Sequence, residues 1–270
     1  MRGENDPSRA TQVLPRGQVR QVQEGSEEET LEGGWIVVKL KNPVLVEGLP
    51  GIGNVAKICV DFLKEEMRAK HLFTIYSDEL PHSVFVTEDS LLELPHVEFS
   101  YFKAKKRHVV LLSGTSQATS ERGSYALMKE ILKRAKRIGV KEIITLGGIG
   151  HAKPPSKPKV HLVATHKEML KRAQKLDVLV DGSSSVGIII GAAGLLLGLG
   201  KRMGFKGFSL LVDTFSHPSY LGFSEAQMLL KVLKQYLDFE VDERKLKPFQ
   251  KQFFVERRKP VKKERLTYIG

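Results

Sequence analysis

Two glycine-rich clusters hold the residues best placed in this sequence to contact a ligand. The first, GLPGIGN at 48–54, lies between a strand-like apolar run and a helical one. Backbone N–H groups at such a turn can cradle an anion, which makes Gly51, Gly53 and Asn54 candidate loop residues. The spacing is neither G-x-G-x-x-G nor G-x-x-x-x-G-K-[ST], because Lys57 stands four residues past Gly53. A tight turn that packs a helix against a sheet is the competing reading. The second cluster, TLGGIGH at 145–151, falls at a strand's C-terminal end, the edge where open α/β sheets hold ligands. It adds Gly147, Gly148 and His151 as candidates, with a plain turn as the alternative. No carboxylate is spaced locally to orient His151 as a base.

The remaining polar clusters read as structural. GTSQATSERGSY at 114–125 suits phosphate, but Ser120 or Thr119 also suits the N-cap of a following helix. DGSSSVG at 181–187 reads the same way. The eight histidines are scattered without H-x-x-x-H spacing or a cysteine partner, so no metal site is expected. The single Cys59 sits on an apolar helix face and reads as a small core residue. These residues imply no catalytic group and no cofactor.

The elements that must position the clusters alternate. Strand-like runs occur at 35–40, 44–47, 71–76, 84–87, 97–102, 108–112, 142–146, 160–164, 178–180 and 208–212. Helical periodicity covers 55–70, with Asn54 at the N-cap position, and 124–138, with Gly139 as a stop. It continues over 166–175 and 224–237. The apolar stretch 186–203 reads as a buried helix whose Gly187, Gly191, Gly194 and Gly198 allow close packing. Such alternation predicts one α/β domain, a mostly parallel central sheet covered by helices on both faces.

Lys and Arg total 43 against 31 Asp and Glu, a formal charge of +12, and the excess is uneven. Residues 1–34 hold four Arg against seven Asp and Glu and read as a disordered acidic leader. The body is 35–243. Residues 244–270 hold ten Lys and Arg against Glu256 and Glu264, and form a basic tail. Such a tail suits phosphates, but the body has no zinc-ligand spacing, RNP strand or recognition helix. Nucleic acid is therefore not expected as a partner. One cysteine, no apolar leader and no apolar run of membrane length give a soluble, cytoplasmic protein.

The segments VEGLPGIGNVAKI, TLGGIG and GIIIGAAGLLLGLGKRMGFKG, in this order, resemble the archaeal branch of the proteasome-assembly-chaperone family. LLSGTSQATSERGSYALMKEIL resembles the corresponding family segment. The similarity covers about 44–240. It implies a three-layer α/β/α sandwich, a homo-oligomer and an ATP-independent binding scaffold rather than an enzyme. The implied partners are proteasome core particle α subunits, further copies of the chain and, in addition, a related family member.

The same resemblance implies a C-terminal docking element of hydrophobic residue, tyrosine and any residue. There the ring fills a pocket between α subunits and the carboxylate pairs with a lysine. This sequence ends in Leu266, Thr267, Tyr268, Ile269 and Gly270, so Tyr268 is third from the end. The Gly270 carboxylate would overshoot by about 3.5 Å, one extended residue. Two other functions remain open: a scaffold for a different protein, and a nucleotide- or phosphate-binding enzyme at the glycine loops.

Overall fold

The computed structural model describes residues 28–31, 35–87, 89–173, 175–180, 186–246 and 249. The chain divides into two compact units, 1–39 and 40–270. In the first, β1 (Glu28–Leu31) pairs antiparallel with β2 (Trp35–Val38), placing Glu28 opposite Val38. β1 falls within the stretch read as a leader. The rest of that leader, and the tail after Phe249, lie outside the described residues.

The second unit is built on a seven-stranded sheet. Its centre consists of β3 (Val44–Glu47) and the strands that follow it as β8 (His108–Gly114), β9 (Glu142–His151) and β11 (Lys206–Phe215). These four are parallel, in the order β11-β9-β3-β8. Every residue of β3 and β8 is buried. That is the pattern of strands covered on both faces, which have no solvated side to keep polar. Antiparallel pairings complete the sheet: β10 (Val160–Ala164) on β11, β7 (His96–Lys103) on β8, and β4 (Lys70–Tyr76) on β7.

Alternation along each strand divides the side chains between two layers. Val44, Val46, Ile144, Leu146, Phe208 and Leu210 pack with α1 (Val55–Glu66) and α5 (Phe223–Leu237) in one core cluster. Short α3 (Lys167–Ala173) joins this layer through Met169 and Ala173. The opposite layer holds α2 (Glu121–Arg137) and α4 (Ala192–Arg202), with Ile143 of β9 beneath them. The expected three-layer α/β/α sandwich with its parallel core is therefore present.

Ser120 caps α2 as its type suggests, accepting from Gly123 N at 3.0 Å. Gly139 follows α2 at φ +83°, where Val140 N returns to Ala135 O. Cys59 is fully buried in α1. No helix among the described residues is long and apolar enough to cross a membrane.

Two expectations need correction. The helix read over 186–203 runs only from Ala192 to Arg202. Gly191 takes φ +86°, outside helical space, and the carbonyl of Ile189 folds back against Gly194. Of the glycines expected to allow close packing, Gly198 faces solvent. It is Gly200 whose missing Cβ makes room for Ile143 and Leu132. Asn54 occupies the N-cap position of α1 but makes no side-chain cap bond. Its left-handed backbone, φ +50°, takes it out of the extended conformation that capping needs.

Candidate functional site

The four parallel strands end at one edge of the sheet, and both glycine clusters lie there. Gly51, Gly53 and Asn54 belong to the link between β3 and α1, and Gly147, Gly148 and His151 belong to β9 itself. The two segments pack directly on each other. A Cβ on Gly148 would stand 2.6 Å from the Ile52 carbonyl oxygen and 2.7 Å from Thr214 Cγ2. Gly53 sits at φ +62° with Thr214 Oγ1 2.8 Å from where its Cβ would be. Gly51 has no such neighbour and is exposed. Close backbone approach therefore accounts for Gly53 and Gly148.

Gln117, in the link between β8 and α2, holds this edge together. Its Nε2 donates to Pro50 O at 2.6 Å, and its Oε1 accepts from Ala192 N at 3.0 Å. One side chain thereby joins the β3–α1 loop to the first turn of α4. The α4 N-terminus gains an acceptor that it would otherwise lack.

Below the loop, Glu47 closes β3 and is buried. Its Oε1 accepts from Leu49 N at 2.9 Å, while Oε2 has no hydrogen-bond partner. Thr145, paired with Glu47 across the β3–β9 ladder, also leaves its buried Oγ1 without a partner. Burial pushes the Glu47 carboxyl up to about 7, against the lowering effect of the Leu49 N–H.

His151 does have a carboxylate, supplied from 62 residues away. Its Nε2 lies 2.8 Å from Asp213 Oδ1, and buried His161 Nε2 lies 3.3 Å from the same oxygen. Lys159 N donates to Oδ2 at 3.0 Å. Burial pushes the Asp213 carboxyl up, but the bonds from His151, Lys159 and His161 outweigh it and hold the group below its usual range. The pairing follows from register. β9 and β11 run parallel with Asp213 beside Ile149 and Phe215 beside His151, which places Asp213 and His151 on one face.

On the other face Glu225 of α5 accepts from Thr214 Oγ1, Tyr220 Oη and Ser224 Oγ. Burial, then the Glu225 bond, raises the Tyr220 phenol to about 12. Gly222 N donates to Gly53 O at 2.8 Å, fastening α5 to the same loop.

The arrangement is a rigid, polar-clipped edge. Among the described residues no group of three His, Cys, Asp or Glu side chains is placed to hold a metal ion. A groove of about 410 Å³ lies between α2 and α4 instead, lined by Lys129, Lys133, Leu199, Arg202 and Met203, away from the glycine clusters. Leu266, Thr267, Tyr268, Ile269 and Gly270 lie outside the described residues. Sequence reasoning missed Glu47, Gln117, Asp213 and Glu225. The available signal for the first three was their position within three residues of a strand end, whereas Glu225 stands in the first turn of α5.

Three comparisons bear on what this edge belongs to. A family model described as the PAC2 family matches residues 45–256. An uncharacterized protein of Methanocaldococcus jannaschii is 31% identical over 255 residues, covering 86% of this chain and 93% of the relative. The crystal structure of Pyrococcus furiosus PbaB, an archaeal proteasome activator, superposes with a TM-score of 0.72 at 30% identity. That match covers 82% of this chain and 93% of the other. Pyrococcus furiosus PbaA, an archaeal homolog of proteasome-assembly chaperone, shares the fold at TM-score 0.64 and 23% identity, over 81% and 91%.

Proposed function

Because the chain belongs to the PAC2 family, whose members among its structural matches include a proteasome activator, we propose that it binds the proteasome core particle. It acts as a homo-oligomeric assembly factor or activator that needs no ATP and engages the α-ring through C-terminal tails.

The observation that carries this reading is the match to the proteasome activator at 30% identity over most of both chains. The path of the chain is consistent with it. α5 starts at the glycine-loop edge, where Gly222 bonds Gly53, and descends to the opposite edge. There Lys105 N, in the β7–β8 turn, donates to Asp238 O, and Lys245 pairs with Glu66 at the end of α1. Phe249 packs edge-on against Phe62. Phe249, the last described residue, thus lies at the edge remote from the clipped loops. Some twenty extended residues span about 65 Å, at about 3.3 Å each, enough to carry Tyr268 well away from the domain.

In this reading Tyr268 is the aromatic anchor and 266–270 the contact segment. Several tails on one oligomer raise the effective concentration of each and compensate for weak single sites.

The test is size exclusion of the full chain mixed with core particle, beside a chain lacking Thr267, Tyr268, Ile269 and Gly270. Co-elution of the full chain and its loss on truncation are expected. A truncated chain that still co-elutes would overturn the tail assignment.

A further inference from the structure

The connection between β4 and β7 carries a second, separate sheet. β5 (Phe85–Val86) pairs with β6 (Leu92–Glu93) in a two-stranded hairpin that joins no strand of the main sheet. Its turn is closed locally, with Leu91 N on Thr87 Oγ1 and Ser90 at φ +61°. What the hairpin lacks is a core. Val84, Phe85, Val86, Leu91, Leu92 and Leu94 are all exposed, Val86 and Leu92 by 71% and 72%. A two-stranded hairpin is marginal in water without a surface to pack on, and an apolar patch of this extent marks an interaction surface.

Its place in the fold says what could cover it. β4 runs in the direction of the parallel strands, being antiparallel to β7, which is itself antiparallel to β8. The hairpin therefore sits at the glycine-loop edge, where Ile52, Ile188 and Ile190 are exposed as well. The last described residues, Lys245 and Phe249, pack at the opposite edge, so a partner seated here does not cover them.

Charge along the edge is divided in the same way. The hairpin end, beside β4, carries Asp89 and Glu93, together with Asp78 and Glu79 just before it. The far end, beside β10, carries exposed Lys153, Lys157 and Lys159 in the β9–β10 loop. No ion pair of these lysine side chains is present among the described residues, and the two ends lie at opposite limits of one seven-stranded sheet. One chain therefore presents both halves of a complementary contact, an acidic apolar hairpin and a basic loop.

We propose that the β5–β6 hairpin is the self-association surface of this protein, packing on the glycine-loop edge of a second copy with its acidic residues against that copy's Lys153 and Lys157. The inference rests on the oligomeric scaffold reading above and deepens it. Such contacts are reciprocated about a two-fold axis or continued around a closed ring.

The test is light scattering on the purified full chain at micromolar concentration, with no proteasome present. The wild type is expected as an oligomer, and Val86→Asp with Leu92→Asp as a single chain. Both positions are exposed, so unchanged far-ultraviolet circular dichroism is expected and separates dissociation from unfolding. Asp89→Lys with Glu93→Lys is expected to weaken the oligomer at least tenfold, and adding Lys153→Glu and Lys157→Glu to restore it.

A monomeric wild type overturns the proposal, as does an apolar double variant that keeps the wild-type mass. Charge reversal that the lysine substitutions fail to rescue overturns the assigned contact. These readings are independent of tail docking. A chain lacking 267–270 should keep the full oligomer mass whether or not it binds core particle.

Discussion

Asp213 Oδ1 lies 2.8 Å from His151 Nε2 and 3.3 Å from His161 Nε2, so one carboxylate oxygen of β11 serves two histidines on the strands that flank it. Lys159 N occupies the other oxygen. The three bonds tie β9, β10 and β11 together at the end where β9 and β10 separate into their connecting loop.

The pH dependence of that tie has a definite sign. A carboxyl held below its ordinary 3.8 contributes stability above its unfolded value and loses it as pH falls through the folded one. Asp213→Asn should cost about 1.5–3 kcal/mol at pH 7, the scale of a lost hydrogen bond to a charged group. The gap to wild type should close on acidification. Urea unfolding at pH 7 and pH 3 measures both, and an equal gap at both values would refute the assignment.

Glu47 behaves in the opposite sense. Its folded value of about 7 lies above its ordinary 4.5, so the folded state holds the proton more tightly and stability falls as pH rises between them. The difference corresponds to about 3 kcal/mol. Glu47→Gln keeps an acceptor for Leu49 N but cannot ionise. It should be more stable than wild type at pH 8 and close to it at pH 4.5. Denaturation midpoints across this range would show the two curves diverge as pH rises, and parallel curves would contradict it.

Removing the Gln117 clip should loosen two distant segments at once. Gln117→Ala leaves Pro50 O and Ala192 N without their partner, at a cost of about 1–3 kcal/mol. Hydrogen exchange should speed up both in 48–54 and at the start of α4. Acceleration in one segment alone would argue against a shared clip.

Gly148 should tolerate no side chain. Alanine there would meet the Ile52 carbonyl at 2.6 Å, and backbone cannot swing aside as a flexible side chain can. A loss of about 1–3 kcal/mol is expected, against little change for Gly51→Ala, which has open space. Thermal unfolding of the two variants provides the comparison.

The sequence was most legible where burial is simplest. Continuous apolar runs such as 108–112 marked the parallel core, and Ser120 and Gly139 marked the ends of α2, because each acts through its immediate neighbours. Hydrophobicity misled at 186–191: apolar composition there satisfied a helical reading, whereas Gly191 at φ +86° ends it. The His151–Asp213 pair was invisible because parallel pairing across 62 residues creates it. The hairpin strand at 84–87 was read without its consequence, since exposure is a property of what surrounds a segment. Tyr268 became a candidate through family resemblance, as no local spacing distinguishes a docking residue from an ordinary tail.

Electron cryomicroscopy of the full chain bound to core particle tests the central claim most directly. The chain is expected over the α-ring, with its tails in the pockets between neighbouring α subunits and the Tyr268 ring as their anchor. A chain bound to the α-ring through the domain with those pockets empty, or no bound chain at all, would contradict it.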